Sequence, residues 1–91
     1  MSAGRMELEG PMTFATARAL SEQGAAALGP GACVIDLAGV SDIDSSALAV
    51  LFAWARAAAS RGGSITLAHV PANLSSLAEL YGVSDLLPAA A

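Results

Sequence analysis

Ser41, Asp42, Asp44, Ser45 and Ser46 crowd into the stretch VSDIDSSAL (Val40–Leu48), the densest set of reactive polar side chains in the sequence. Asp36, Cys33 and His69 are the other groups with chemical potential outside charged surface positions. A serine nucleophile needs a base within reach, and His69 is the sole histidine. Neither a GxSxG turn nor a second motif supports a triad, and His69 at a strand end is expected to be a surface histidine. Asp36, Asp42 and Asp44 together have the donor chemistry to hold Mg²⁺. A phospho-acceptor site of that kind also needs a phosphate-pairing lysine, and the chain contains no Lys. Gly29-Pro30-Gly31 leads into a strand rather than out of one, so it is no phosphate loop. The sequence therefore predicts no catalytic, cofactor or metal residues.

What remains for the cluster is the start of a helix. Asp44 or Ser45 can accept hydrogen bonds from the free N–H groups of a first turn, and acidic residues suit the positive end of the helix dipole. Capping explains Asp44 but not two successive serines. After the turn, Leu48, Leu51, Phe52, Ala55 and Ala59 recur at helical steps until Gly62-Gly63. Val50 and Trp54, four residues apart, point elsewhere with Ala47, Ala57 and Ala58. Trp54 is thus either at the edge of the core or an anchor for a partner.

The elements around this helix follow from periodicity. Arg5–Gly10 alternates Met6 and Leu8 with charged residues, a half-buried strand that Pro11 should end. Thr13 is a plausible N-cap for a helix carrying Phe14, Ala17, Leu20, Ala27 and Leu28, with Gly24 weakening its middle by around 1 kcal/mol. Ala32–Leu37 is a short continuous apolar run, read as a central strand buried on both faces and followed by a polar turn at Gly39–Asp44. Ser64–His69 is a further strand, and Pro71 and Asn73 open a helix with Leu74, Leu77, Ala78 and Tyr81 that Gly82 closes. The order β-α-β-α-β-α predicts an α/β fold: a small mixed β-sheet flanked by helices. It forms a single domain over residues 1–91 with an ordered core of about residues 5–88, Leu86, Leu87 and Pro88 ending it before a frayed Ala89–Ala91.

Composition removes other classes. The chain has 91 residues, a net charge of −4 and a hydrophobic fraction of 55%. Ala supplies 22 of the apolar residues, and the longest apolar run, Ala47–Ala55, is nine residues. A membrane helix needs about 20. Four scattered Arg among eight carboxylates make no basic stripe for nucleic acid, and the acidity disfavours anionic lipid surfaces. One cysteine excludes a disulfide framework and a Cys-based zinc site; Cys33, in an apolar run, reads as an inert thiol. Met1–Gly10 lacks the pattern of a signal peptide, so a cytoplasmic location is expected.

Val34–Val70 resembles the STAS domain, named for sulfate transporters and anti-sigma factor antagonists. The resemblance rests on a strand ending in Asp-Leu, the turn Val-Ser-x-Ile-Asp-Ser-Ser before a Leu-rich helix, a Gly-Gly pair before the next strand, and Leu74–Tyr81. It extends over about Met6–Pro88, with two departures: Ala47 stands where antagonists usually carry Gly, and only Arg5–Gly10 precedes the first helix. The resemblance implies that the turn is a partner-docking surface. In anti-sigma factor antagonists the serine at the position of Ser45 is phosphorylated by an anti-sigma factor kinase. The segments LEGPMTFATARAL, IDLAGVSDIDSSALAVL and LAELYGVSDLLP are most similar to the small cytoplasmic STAS subunit of the Mla system, an ABC transporter of phospholipids in Gram-negative bacteria. That likeness implies a non-catalytic subunit that binds the transporter's ATPase subunit, in complex with a membrane permease. Asp42, Asp44, Ser45, Ser46 and Trp54 are the partner-binding candidates, Ser45 also a phosphorylation candidate, and an anti-sigma factor antagonist is the alternative function.

Overall fold

The computed structural model describes residues 4–83 and 85. The expected end of the ordered chain at Leu86–Pro88 and the tail Ala89–Ala91 lie outside the described residues. In chain order the elements are β1 (Arg5–Met12), α1 (Phe14–Ala27), β2 (Gly31–Ile43), α2 (Ser46–Ser60), β3 (Gly63–Ala68) and α3 (Ala72–Leu80). The sheet order is β1-β2-β3, and both pairings are parallel. The mixed sheet expected from the sequence is thus an all-parallel one among the described residues. Each neighbouring pair is joined through a helix, which returns the chain to the end where the previous strand began.

Two strand boundaries differ from expectation for one reason. β1 continues through Pro11 to Met12, and β2 continues through the predicted turn to Ile43, because the two extensions pair with each other. Glu9 lies opposite Gly39, Gly10 opposite Val40 and Met12 opposite Ile43, with register irregularities between Glu7 and Glu9 and between Gly10 and Met12. Pro11 falls in the second irregularity of an edge strand, where a missing N–H is tolerated. Gly39 is needed for close approach: a Cβ there would lie 2.6 Å from the Leu8 carbonyl oxygen.

Register separates the two sheet faces. Met6, Ile35 and Leu67 lie side by side, as do Glu7, Asp36 and Ala68 in the next row. The first row is buried beneath α1 and α2, while Arg5, Val34 and Thr66 are only half-buried on the opposite face. β2 is therefore covered on one face by helices, not on both. Its second face carries polar groups that satisfy one another.

The two long helices lie alongside each other, tied at both ends. At their starts, Asp44 accepts hydrogen bonds from the Phe14 N–H (2.9 Å) and the Ser46 N–H (2.8 Å). At their far ends, Arg61 donates to the carbonyl oxygens of Leu28 (2.6 Å) and Ala25. A carboxylate at two helix N-termini and a guanidinium at a C-terminus each match the local dipole. Thr13 is the N-cap of α1 as expected; its N–H donates to Thr16 Oγ1 at 3.0 Å. Between these ties the seam closes on Trp54, which is fully buried, with its indole N–H donating to the Ser21 carbonyl at 3.2 Å. Gly24 is what lets it fit. A Cβ at that position would stand 2.1 Å from Trp54 Cε2. The glycine that costs α1 propensity is repaid in packing.

Candidate functional site

The Val40–Leu48 segment divides its labour among its side chains. Ile43 ends β2, and Asp44 takes the capping role with both carboxylate oxygens engaged. The Phe14 N–H is the main cause holding the Asp44 carboxyl below the usual carboxylate range, with the Ser46 N–H and hydroxyl adding to it and partial desolvation opposing it. Ser45 follows in helical conformation, exposed, with no side-chain hydrogen bond to the helix end. Its side chain is not called on as a cap: the Ser46 N–H donates to Asp44 Oδ1, and the Ala47 and Leu48 N–H groups donate to the backbone carbonyls of Asp44 and Ser45. Ser46 is half-buried beside Asp44, and Asp42 is exposed.

Ser45, Leu48 and Phe52 share one face of α2, at spacings of three and four residues. With Tyr81 and Val83, just beyond α3, they line an open groove of about 270 Å³. Phe52 is half-buried, whereas Tyr81 is 57% exposed. Phe14 is 84% exposed at the start of α1, its N–H on Asp44, and Leu80 is 76% exposed at the end of α3. Tyr81 beside the groove and Phe14 hydrogen-bonded through its N–H to Asp44 thus leave large apolar surface exposed near the Ser45 turn. An apolar surface rimmed by polar groups is the signature of a contact site.

Sequence periodicity put Phe14, Phe52 and Tyr81 at helical spacing, which identifies a face without saying what meets it; Phe52 packs against the core, whereas Phe14 and Tyr81 stay exposed. The correction for Trp54 runs the other way. It belongs to the α1–α2 seam, and its burial leaves no indole surface for a partner. A signal was present in Gly24, whose lack of a side chain permits the close helix approach, but spacing alone does not pair residues 30 apart.

Asp36 does not join Asp42 and Asp44. It accepts hydrogen bonds from the Ala38 N–H (2.9 Å) and Arg5, and its Oδ1 lies 2.9 Å from His69 Nδ1. The Ala38 N–H first, then His69 and Arg5, keep its carboxyl below the usual range against the effect of desolvation. His69, with its exposed ring, reaches Asp36 from a left-handed backbone (φ 55°). Among the described residues no three metal-ligating side chains converge. Cys33 is half-buried, and desolvation raises its thiol pKa, which suppresses the nucleophilic thiolate. Within the described residues no helix is long and apolar enough to cross a membrane.

The fold is similar to that of a sulfate transporter family protein from Wolinella succinogenes, with a TM-score of 0.73 and 20% identity over 98% of this chain and 78% of that one. It is also similar to the anti-sigma factor antagonist SpoIIAA in its unphosphorylated form, with a TM-score of 0.66 and 12% identity over 88% of this chain and 78% of that one. At these identities the likeness is one of fold. No curated protein matches the chain. A family model described as "Mlab, STAS domain" matches residues 1–88. That match leaves almost none of the sequence outside it, and the chain belongs to this STAS domain family.

Proposed function

We propose that the protein is a non-catalytic STAS interaction subunit that binds and supports the ATPase subunit of a Mla-type ABC transporter for phospholipids, and so acts at the inner membrane through that complex. The observation that carries this reading is the apolar groove of Leu48, Phe52, Tyr81 and Val83 with the small, exposed Ser45 at its rim, the capping contact being made by Asp44. The description of the matching family supports it. The groove supplies an apolar contact, and the turn beside it supplies small polar groups. Asp42, Asp44, Ser45 and Ser46 form the docking turn; Leu48, Phe52 and Tyr81 extend it.

Co-expression with the ATPase and permease subunits tests this directly. The wild-type chain should co-purify with the ATPase and raise its assembly or turnover, and should hydrolyse no ATP alone. Ser45→Arg puts a long cationic side chain at a helix N-terminus and into the contact; it should cost ~2–4 kcal/mol of binding. Ser45→Ala should bind nearly as wild type. Failure of the wild-type chain to associate with the ATPase overturns the reading.

The same exposed hydroxyl favours a second reading, an anti-sigma factor antagonist switched by phosphorylation of Ser45. A phosphate there suits the helix dipole, so the phosphorylated chain stays folded. It also adds charge beside Asp42 and Asp44 within a contact, which disrupts binding. Intact mass after incubation with partner and ATP separates the two. One phosphate mapped to Ser45, with release of the partner, establishes the antagonist; an unmodified, bound chain establishes the transporter subunit.

A further inference from the structure

β1 is an edge of the sheet, and its outer side is a short row of backbone groups. The Gly4 carbonyl accepts from the Val34 N–H (2.7 Å) and the Met12 carbonyl from the Asp44 N–H (3.4 Å). With a two-residue repeat between them, Met6, Leu8, Gly10 and Met12 turn their backbone groups to β2, and Arg5, Glu7, Glu9 and Pro11 turn theirs outward. Pro11 has no N–H to offer, and its carbonyl accepts from the Thr16 hydroxyl at 2.9 Å. The N–H and C=O groups of Arg5, Glu7 and Glu9 have no partner among the described residues. Such a row is a template for one more strand. Between the same strand and α1 lies a partly open cavity of about 200 Å³, lined by residues that include Met6, Leu8, Leu20 and Ala27. An apolar cavity of roughly 150 Å³ holds a benzene ring, so this one admits a Leu or Phe side chain. Glu7 and Glu9, on either side of Leu8, are exposed and form no ion pair with another described residue.

We propose that the β1 edge takes an extended segment of a partner protein as an additional strand, with one large apolar side chain of that segment in the cavity and a basic residue on either side of it. The main-chain groups of Arg5, Glu7 and Glu9 supply the strand bonds, and the cavity sets the register. Side chains alternate along a strand, so the neighbours of the residue seated beside Leu8 point to the opposite side of the sheet. Glu7 and Glu9 alternate with Leu8 in the same way, and Lys or Arg on the incoming strand pairs with them across the edge. Pro11 ends the row, which confines the added strand to Arg5–Glu9. This surface shares no lining residue with the Ser45 groove and is a second interface, independent of the one proposed above.

The probe is a labelled, cyclised β-hairpin whose outer strand reads Thr-Lys-Leu-Lys-Thr, titrated into the full chain by fluorescence anisotropy. Replacing its Leu by Ala should weaken binding about tenfold, because the cavity is left unfilled. Replacing both Lys by Glu should weaken it at low salt, by a factor that shrinks as salt rises. N-methylation of the outward amides of that strand should abolish binding with every side chain kept. On binding, amide exchange at Arg5, Glu7 and Glu9 should slow about tenfold or more, while the amides of Met6 and Leu8, which face β2, change little. Ala27→Leu fills the cavity from α1 and should remove the advantage of the Leu hairpin over the Ala hairpin; thermal melting checks that this variant stays folded. Ser45→Arg should bind the hairpin as the wild type does. No binding, equal binding of the Leu and Ala hairpins, binding that survives N-methylation, or unchanged exchange at the three amides overturns the inference. A dimeric chain with the same amides protected in the absence of hairpin also overturns it, since the edge then belongs to a second copy. Loss of hairpin binding in Ser45→Arg places the hairpin in the α2 groove and overturns it as well, leaving the docking turn untouched.

Discussion

The two faces of α2 have similar composition and opposite fates. One carries Val50, Trp54 and Ala58, the other Leu48, Phe52 and Tyr81's neighbourhood. The first is sealed: Trp54 is fully buried against α1, where Gly24 admits the indole. The second is covered only in part: Leu48 is buried and Phe52 half-buried, while Tyr81, which lines the same groove, is 57% exposed. Apolar content does not distinguish them. What does is the availability of a second surface shaped to receive each face, and among the described residues the Trp54 side has the closer one, in α1.

The largest test of this contrast is Trp54→Ala. Removing the fully buried indole should cost ~3–5 kcal/mol, read as the shift in a urea unfolding curve, and any loss of partner binding should track the loss of folded protein. A folded Trp54→Ala chain that fails to bind would move Trp54 into the docking surface. Gly24→Ala comes next. Its Cβ collides with the indole, so the seam must part, at ~1–3 kcal/mol, even though Ala is the better helix former. Combining Gly24→Ala with Trp54→Phe should recover part of that cost, because the smaller ring vacates the space; strictly additive losses would show that the two do not compete for the same volume.

Acid should loosen the start of the same seam at Asp44 and, on the other face of the sheet, the contacts of Asp36. Asp44 and Asp36 both have carboxyl pKa values lowered in the fold relative to the ordinary 3.8. Their folded pKa values lie below the unfolded ones, so their stabilising effect is fully present above pH 3.8 and disappears as pH falls through the folded values. Asp44→Asn should flatten part of the fall in stability below pH 4 and leave the slope near neutrality unchanged; an acid profile identical to wild type would remove Asp44 from the account. The smallest effect belongs to the open face. Tyr81→Ala should change stability by no more than ~0.5 kcal/mol, checked by thermal denaturation, while weakening binding. A larger loss would make the groove a piece of the core.

Much of the fold was legible because local rules act over a few residues. Alternation in Arg5–Gly10, the apolar run at Ala32–Leu37 and helical spacing after Ser46 each located an element, and Thr13 and the Asp44 turn located two helix starts. The misplacements all involve partners distant in sequence. Pro11 and Gly39 read as boundaries, yet each strand runs on because the other lies beside it. Asp44 was legible as a cap for α2 but not for α1, whose first N–H comes from 30 residues away.

The sequence by itself determined that this is a small acidic α/β chain with a polar turn opening a Leu-rich helix, because composition, periodicity and capping chemistry are properties of neighbouring residues. Its resemblance to STAS domains could also be read there, since a motif is a local string. Tertiary structure alone decided that the described strands are all parallel, that Asp36 turns to Arg5 and His69 instead of to Asp42 and Asp44, and that Trp54 is sealed while Tyr81 stays exposed. The physical reason is common to all three. Burial is a relation between two surfaces, and a sequence specifies each surface locally but leaves their meeting to the packing of the whole chain.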